Sequence, residues 1–167
     1  MLRNFVVLAV VALLPAFAMA QPSEGDWELT LTGNGGSNHD FDTTQLGASA
    51  SLGYFIMKPL EVGIRQSMSY ATSDSLDEDL LGGSTRLFVD WHFDLDAFQP
   101  FVGASLGYAY GDFIDEESCF AGLEAGLKYF LHKDTFIYGL VEYQWLLDEG
   151  CEEGEWVYSL GIGTLLN

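Results

Sequence analysis

The stretch Pro100-Phe101-Val102-Gly103-Ala104-Ser105-Leu106-Gly107-Tyr108 sets Val102, Ala104, Leu106 and Tyr108 on one parity, and Gly103, Ser105 and Gly107 on the other. Successive side chains of an extended strand point to opposite faces, so this alternation separates an apolar face from a face of small polar residues. Leu46, Ala48, Ala50, Leu52 and Tyr54 alternate in the same way with Gln45, Gly47, Ser49, Ser51 and Gly53. Leu87, Val89, Trp91 and Phe93 alternate with Arg86, Phe88, Asp90 and His92, and Leu123, Ala125, Leu127 and Tyr129 with Gly122, Glu124, Gly126 and Lys128. Weaker copies occupy residues 27–32, 60–70, 136–147 and 156–166, which makes eight strands. Short turns fall at 58–59, 95–97 and 132–134, and longer polar loops centre near 38, 78, 115 and 151, about 35–40 residues apart. The repeat is strand, long loop, strand, short turn, with every long loop at one end of the sheet.

The polar face carries Gly, Ser and isolated charges (Glu61, Arg65, Arg86, Asp90, Glu124, Lys128, Glu142), which suits a crowded interior better than a solvated exterior. The apolar face then points outward, which only lipid tolerates. Aromatic residues gather at both ends of that face: Tyr70, Tyr108, Tyr110, Tyr143, Trp145, Trp156 and Tyr158 near the long loops, Trp27, Tyr54, Trp91, Phe93 and Tyr129 near the short turns. Two aromatic girdles around an aliphatic band match a bilayer with two polar interfaces. The fold expected is all-β, an eight-stranded antiparallel up-and-down transmembrane β-barrel.

Composition agrees. The 167 residues include 25 acidic and 6 basic side chains, a net charge of −19, with 49% apolar residues, 14% aromatics and 19 glycines. Such acidity excludes a nucleic-acid binder, which needs clustered Lys and Arg, and such apolar content excludes a disordered acidic tail. Residues 1–20 read as a cleaved secretory signal peptide: Arg3, an apolar run from Phe5 to Leu14, then Pro15 and the small-residue site Ala18-Met19-Ala20. Residues 21–167 are then the barrel domain.

Gly47-Ala48-Ser49-Ala50-Ser51-Leu52-Gly53-Tyr54, the segment 100–108 and Gly122-Leu123-Glu124-Ala125-Gly126-Leu127-Lys128-Tyr129-Phe130 resemble strands of the small eight-stranded outer-membrane barrels of Gram-negative bacteria, the OmpA-like, OmpX-like and OmpW-like group. The resemblance covers nearly the whole chain after residue 20. It implies an integral outer-membrane protein among phospholipid and lipopolysaccharide, folded by the outer-membrane assembly machinery and monomeric, with a structural or surface-interaction role.

An eight-stranded barrel is filled by its own side chains, so the inward charges must pair. The pairings expected from spacing are Arg65 with Glu61, Arg86 with Asp90, and Lys128 with Glu124 or Glu142. A narrow porin-like conduit for small polar or cationic solutes stays open as an alternative, since inward Gly and Ser leave room for water; so does a soluble periplasmic ligand-binding barrel. The long loops hold fifteen carboxylates and no Lys or Arg. The plain expectation for them is a solvated rim; the alternative is loose Ca²⁺ or Mg²⁺ binding at Asp77, Glu78, Asp79, Asp115, Glu116, Glu117, Glu152 and Glu153, without EF-hand spacing. No other cofactor is expected. Cys119 and Cys151 lie at the same end on adjacent connections, and export to an oxidising compartment favours a disulfide between them. The three histidines are scattered, with His92 facing inward beside Asp90, and no nucleophile accompanies them, so no enzymatic activity is expected.

Overall fold

The computed structural model describes residues 21–37, 44–72, 79–111, 118–147 and 154–166. Within them the eight strands are β1 (Trp27–Ser37), β2 (Thr44–Met57), β3 (Leu60–Thr72), β4 (Asp79–His92), β5 (Phe98–Gly111), β6 (Ser118–Phe130), β7 (Thr135–Leu146) and β8 (Gly154–Leu166). Each pairs antiparallel with its sequence neighbour, and β1 pairs with β8 from Trp27↔Leu166 to Ser37↔Trp156 to close the barrel. Closure leaves no edge strand, so the strand backbones find their partners within the wall. Strands of 11 to 14 residues exceed the roughly 10 tilted residues that cover the hydrocarbon.

The expected inversion of burial is present. Leu160 is 76% exposed and Leu87 62%, whereas Glu142 is 0% exposed and Glu61 1%. The girdles also form as ring contacts: Trp27 against Tyr54 and Phe98 against Tyr129 near the short turns, Tyr143 against Trp145 and Trp156 near the long loops. The polar side chain of Gln66 faces outward below the long-loop girdle. Its amide donates to the Tyr110 hydroxyl at 2.5 Å and its carbonyl accepts from Thr85 at 2.7 Å, so it meets lipid already satisfied.

Phenylalanine supplies much of the interior, beyond the Gly, Ser and charges expected. Four of the buried rings lie over a glycine directly opposite in register: Phe88 over Gly63, Phe101 over Gly126, Phe120 over Gly107 and Phe136 over Gly163. A Cβ on Gly126 would lie 2.3 Å from the Phe101 ring, so only glycine admits the ring there. Phe55, Phe101, Phe130, Phe136, Tyr138, Leu140 and Leu165 form one buried cluster, much of it at the short-turn end. The N-terminal segment reaches the same end, with Pro22 fully buried and Gly25 N–H donating to the Phe55 carbonyl at 2.9 Å.

The turn between β4 and β5 is held by reciprocal bonds between Leu95 and Phe98 and places Asp96 at φ 58°, a left-handed conformation that Asp tolerates better than most residues. On the same rim Lys58 pairs with Asp94 at 2.9 Å. The hydrogen bond from Lys58 holds the Asp94 carboxyl below the usual aspartate range, against a smaller opposing effect of burial.

Candidate functional site

The lumen is the candidate site, because it gathers the inward charges predicted from sequence. Register alone aligns them. Glu61, Asp90, Gly103, Glu124 and Glu142 are successive partners from β3 to β7, so four carboxylates share one line around the wall. Arg65 and Arg86, directly opposite each other on β3 and β4, stand four residues along the same two strands. All of these side chains are buried.

The ion pairs cross the lumen, and this corrects the expected pairings. Arg65 donates to both oxygens of Glu124 on β6, at 2.8 and 3.2 Å, and not to Glu61. Arg86 pairs with Glu142 on β7 at 2.5 Å, not with Asp90, and donates to Ser67 at 2.8 Å. Lys128 pairs with Glu28 on β1 at 2.6 and 2.7 Å and with Glu61 on β3 at 3.0 Å, rather than with Glu124 or Glu142. The physical reason is distance. Residues four apart on a strand are separated by about 13 Å, whereas a lumen this narrow lets an extended Arg or Lys reach the far wall.

Aromatic faces line these cations. The Arg65 guanidinium lies 4.8 Å from the Phe88 ring centre and Arg86 5.6 Å from Phe120. The Lys128 ammonium lies between 5.2 and 5.7 Å from Phe136, Phe101 and Phe55. Each ring adds about 0.5–2 kcal/mol of attraction in a desolvated setting. Hydroxyls complete the lining: Ser105 donates to Glu142, Thr30 bonds Ser51, and Thr32 bonds Tyr138 at 2.6 Å.

Glu28 was missed from sequence, although it holds the opposite parity to Trp27, Leu29 and Leu31 and so points inward by the same alternation. His92 is interior as expected, with Nε2 2.9 Å from Glu61 Oε2. The loop carboxylates Asp77, Glu78, Asp115, Glu116, Glu117, Glu152 and Glu153, together with Cys151 and the leader 1–20, lie outside the described residues. Asp79 opens β4, paired in register with Thr72. Cys119 stands on β6, and its carbonyl accepts from Leu147 N–H at 2.9 Å, four residues before Cys151.

A family model described as the OprF membrane domain matches residues 2–167. Among solved structures, the N-terminal β-barrel domain of Pseudomonas aeruginosa OprF superposes with a TM-score of 0.62 at 23% identity, covering 87% of this chain and 100% of that one. Neisserial surface protein A gives 0.63 at 16% identity, covering 85% and 97%. Ail, the attachment invasion locus protein of Yersinia pestis, gives 0.56 at 17%, covering 86% and 99%. No curated protein matches the sequence. The match spans all eight strands, so the chain belongs to the OprF membrane-domain family and is an integral β-barrel of the Gram-negative outer membrane.

Proposed function

We propose that this barrel is a sealed, monomeric, non-catalytic scaffold that presents acidic loops at the cell surface. The observation that carries the reading is the set of ion pairs crossing the lumen, Arg65 to Glu124, Arg86 to Glu142 and Lys128 to Glu28 and Glu61. Opening a water path between such walls means separating desolvated charges, at several kcal/mol for each pair broken. The aromatic cluster packs around the Lys128 pair, so that part of the lumen is closed by rings as well as by charge.

The surface role follows from placement. Long loops at one end and short turns at the other are the architecture in which the long loops face outward. Ail has been solved with the heparin analogue sucrose octasulfate. The fifteen carboxylates in and beside the long loops, with no Lys or Arg among them, repel such a polyanion, so this rim suits cationic or neutral partners and loosely held Ca²⁺ or Mg²⁺. The assembly machinery that inserts outer-membrane barrels is the other partner this reading requires.

Single-channel recording in planar bilayers tests the reading. The scaffold predicts no conductance steps across a range of salt concentrations. Steps from purified wild-type barrel that are altered by Arg65→Gln would establish the porin-like conduit instead.

A further inference from the structure

Counted as ionised, the buried groups do not cancel. Among the described residues the interior holds five carboxylates (Glu28, Glu61, Asp90, Glu124, Glu142) against three permanent cations (Arg65, Arg86, Lys128). Arg65 with Glu124 and Arg86 with Glu142 are balanced pairs. With every carboxyl ionised, a surplus of two negative charges would fall on the remaining group, Glu28, Glu61 and Asp90 around the single ammonium of Lys128, for shared protons or a bound cation to offset. Asp90 takes part in none of the ion pairs found among the described residues; its carboxyl shares a hydrogen bond with Glu124, while its Oδ1 is buried without a partner.

Asp90 also stands directly opposite Glu61 in the β3–β4 register, an arrangement of like charges that destabilises a sheet unless something lies between them. His92 follows two residues along β4 on the same inward face. Its ring is held between Phe55 and Phe101 at centre distances of 5.2 and 5.3 Å, its Nε2 meets Glu61, and its Nδ1 is buried without a partner. One donor atom from each of Glu61, Asp90 and His92 lies within 4.8 Å of the other two. Around a bound ion such donors stand about 3.3 Å apart, a closure that side-chain rotation supplies. The wall is shaped for these carboxylates: a Cβ on Gly53 would lie 1.7 Å from Glu61 Oε1, and one on Gly103 would lie 1.8 Å from Asp90 Oδ1.

We propose that Glu61, Asp90 and His92 form an interior site for one divalent transition-metal ion, enclosed as the barrel closes. One imidazole nitrogen with two carboxylate oxygens is a donor set for borderline ions such as Zn²⁺, Mn²⁺, Fe²⁺ or Co²⁺, not for Ca²⁺. Two positive charges match the surplus that the ionised group would carry. Lys128 is the competing cation at Glu61, and on metal binding it stays with Glu28, which it already contacts twice.

The test is refolding from urea into detergent micelles with Zn²⁺, followed by gel filtration in EDTA and zinc counting. The enclosed site predicts one zinc per folded wild-type chain surviving EDTA, whereas ions on the acidic loops are stripped. Asp90→Asn and His92→Gln, each checked for folding by heat-modifiable migration, are predicted to retain none. A wild type that retains no zinc, or folded variants that retain as much as wild type, would overturn the site. Should both variants fail to fold, the wild type decides alone. Refolding with paramagnetic Co²⁺ is predicted to broaden the ring resonances of His92 and spare those of His39 and His132; broadening of the latter two alone would overturn the proposal.

Discussion

Arg65 on β3 and Glu124 on β6 hold each other across the lumen through two contacts of 2.8 and 3.2 Å, from strands three places apart in the wall. Both side chains are buried, so removing one strands the other. Arg65→Met is predicted to destabilise the barrel by about 3–5 kcal/mol, and the double change Arg65→Met with Glu124→Leu to recover most of that loss. Urea unfolding in lipid vesicles, with a double-mutant cycle, measures both.

The contact of Phe101 with Gly126 is a packing prediction of another kind. Gly126→Ala places a Cβ 2.3 Å from the ring and 2.6 Å from the Gly139 carbonyl, and that carbonyl belongs to the wall and cannot give way. A loss of about 1–3 kcal/mol is expected from overpacking. Trimming the ring as well, with Phe101→Leu, is predicted to restore only part of the loss, because the backbone contact remains. The shift in urea midpoint reads each step.

Lys58 and Asp94 make the short-turn rim sensitive to acid. Asp94 is held below its unfolded value by the hydrogen bond from Lys58. Its stabilisation is therefore fully present above the unfolded aspartate pKa, about 3.9, and is lost as pH falls through the lower folded value. Both side chains are largely exposed, 58% and 45%, so the effect belongs at the low end of the about 0–1 kcal/mol of surface pairs. The stability difference between wild type and Lys58→Met is predicted to be small at pH 6 and to shrink as pH falls below the unfolded aspartate value; an NMR titration of the Asp94 carboxyl checks the direction.

Cys119 and Cys151 are proposed to be joined. The Leu147 bond to the Cys119 carbonyl at 2.9 Å brings the β7 exit to the start of β6. Closing a loop of about 30 residues contributes about 3–4 kcal/mol in the chain-entropy account. Intact mass after alkylation without reductant is predicted to show no added label, and two labels would show separate thiols.

The fold was legible because the alternation of Leu106 with Gly107, or of Leu123 with Glu124, records the face of the wall directly in the chain. The same alternation assigns Glu28 to the interior, on the inward parity of β1 with Thr30 and Thr32. The partners across the lumen were not legible. Arg65 and Glu124 are 59 positions apart, and their meeting depends on how strand stagger sets heights around the cylinder, which no single strand records. The phenylalanine–glycine pairs are intermediate: each residue shows its face, but the match of Phe136 with Gly163 requires the register.

The outward position of the apolar parity can be read at two adjacent residues of β8. Leu160 is 76% exposed and Ser159 7%. Nitroxide labels placed singly at 159 and 160, in a chain with Cys119 and Cys151 replaced by Ser and reconstituted in lipid vesicles, report collisions with oxygen, which concentrates in hydrocarbon. High oxygen accessibility with little access to a water-soluble nickel complex is predicted at 160, and low oxygen accessibility at 159. A label at 160 that collided mainly with the nickel complex would contradict a barrel that turns its leucines to lipid.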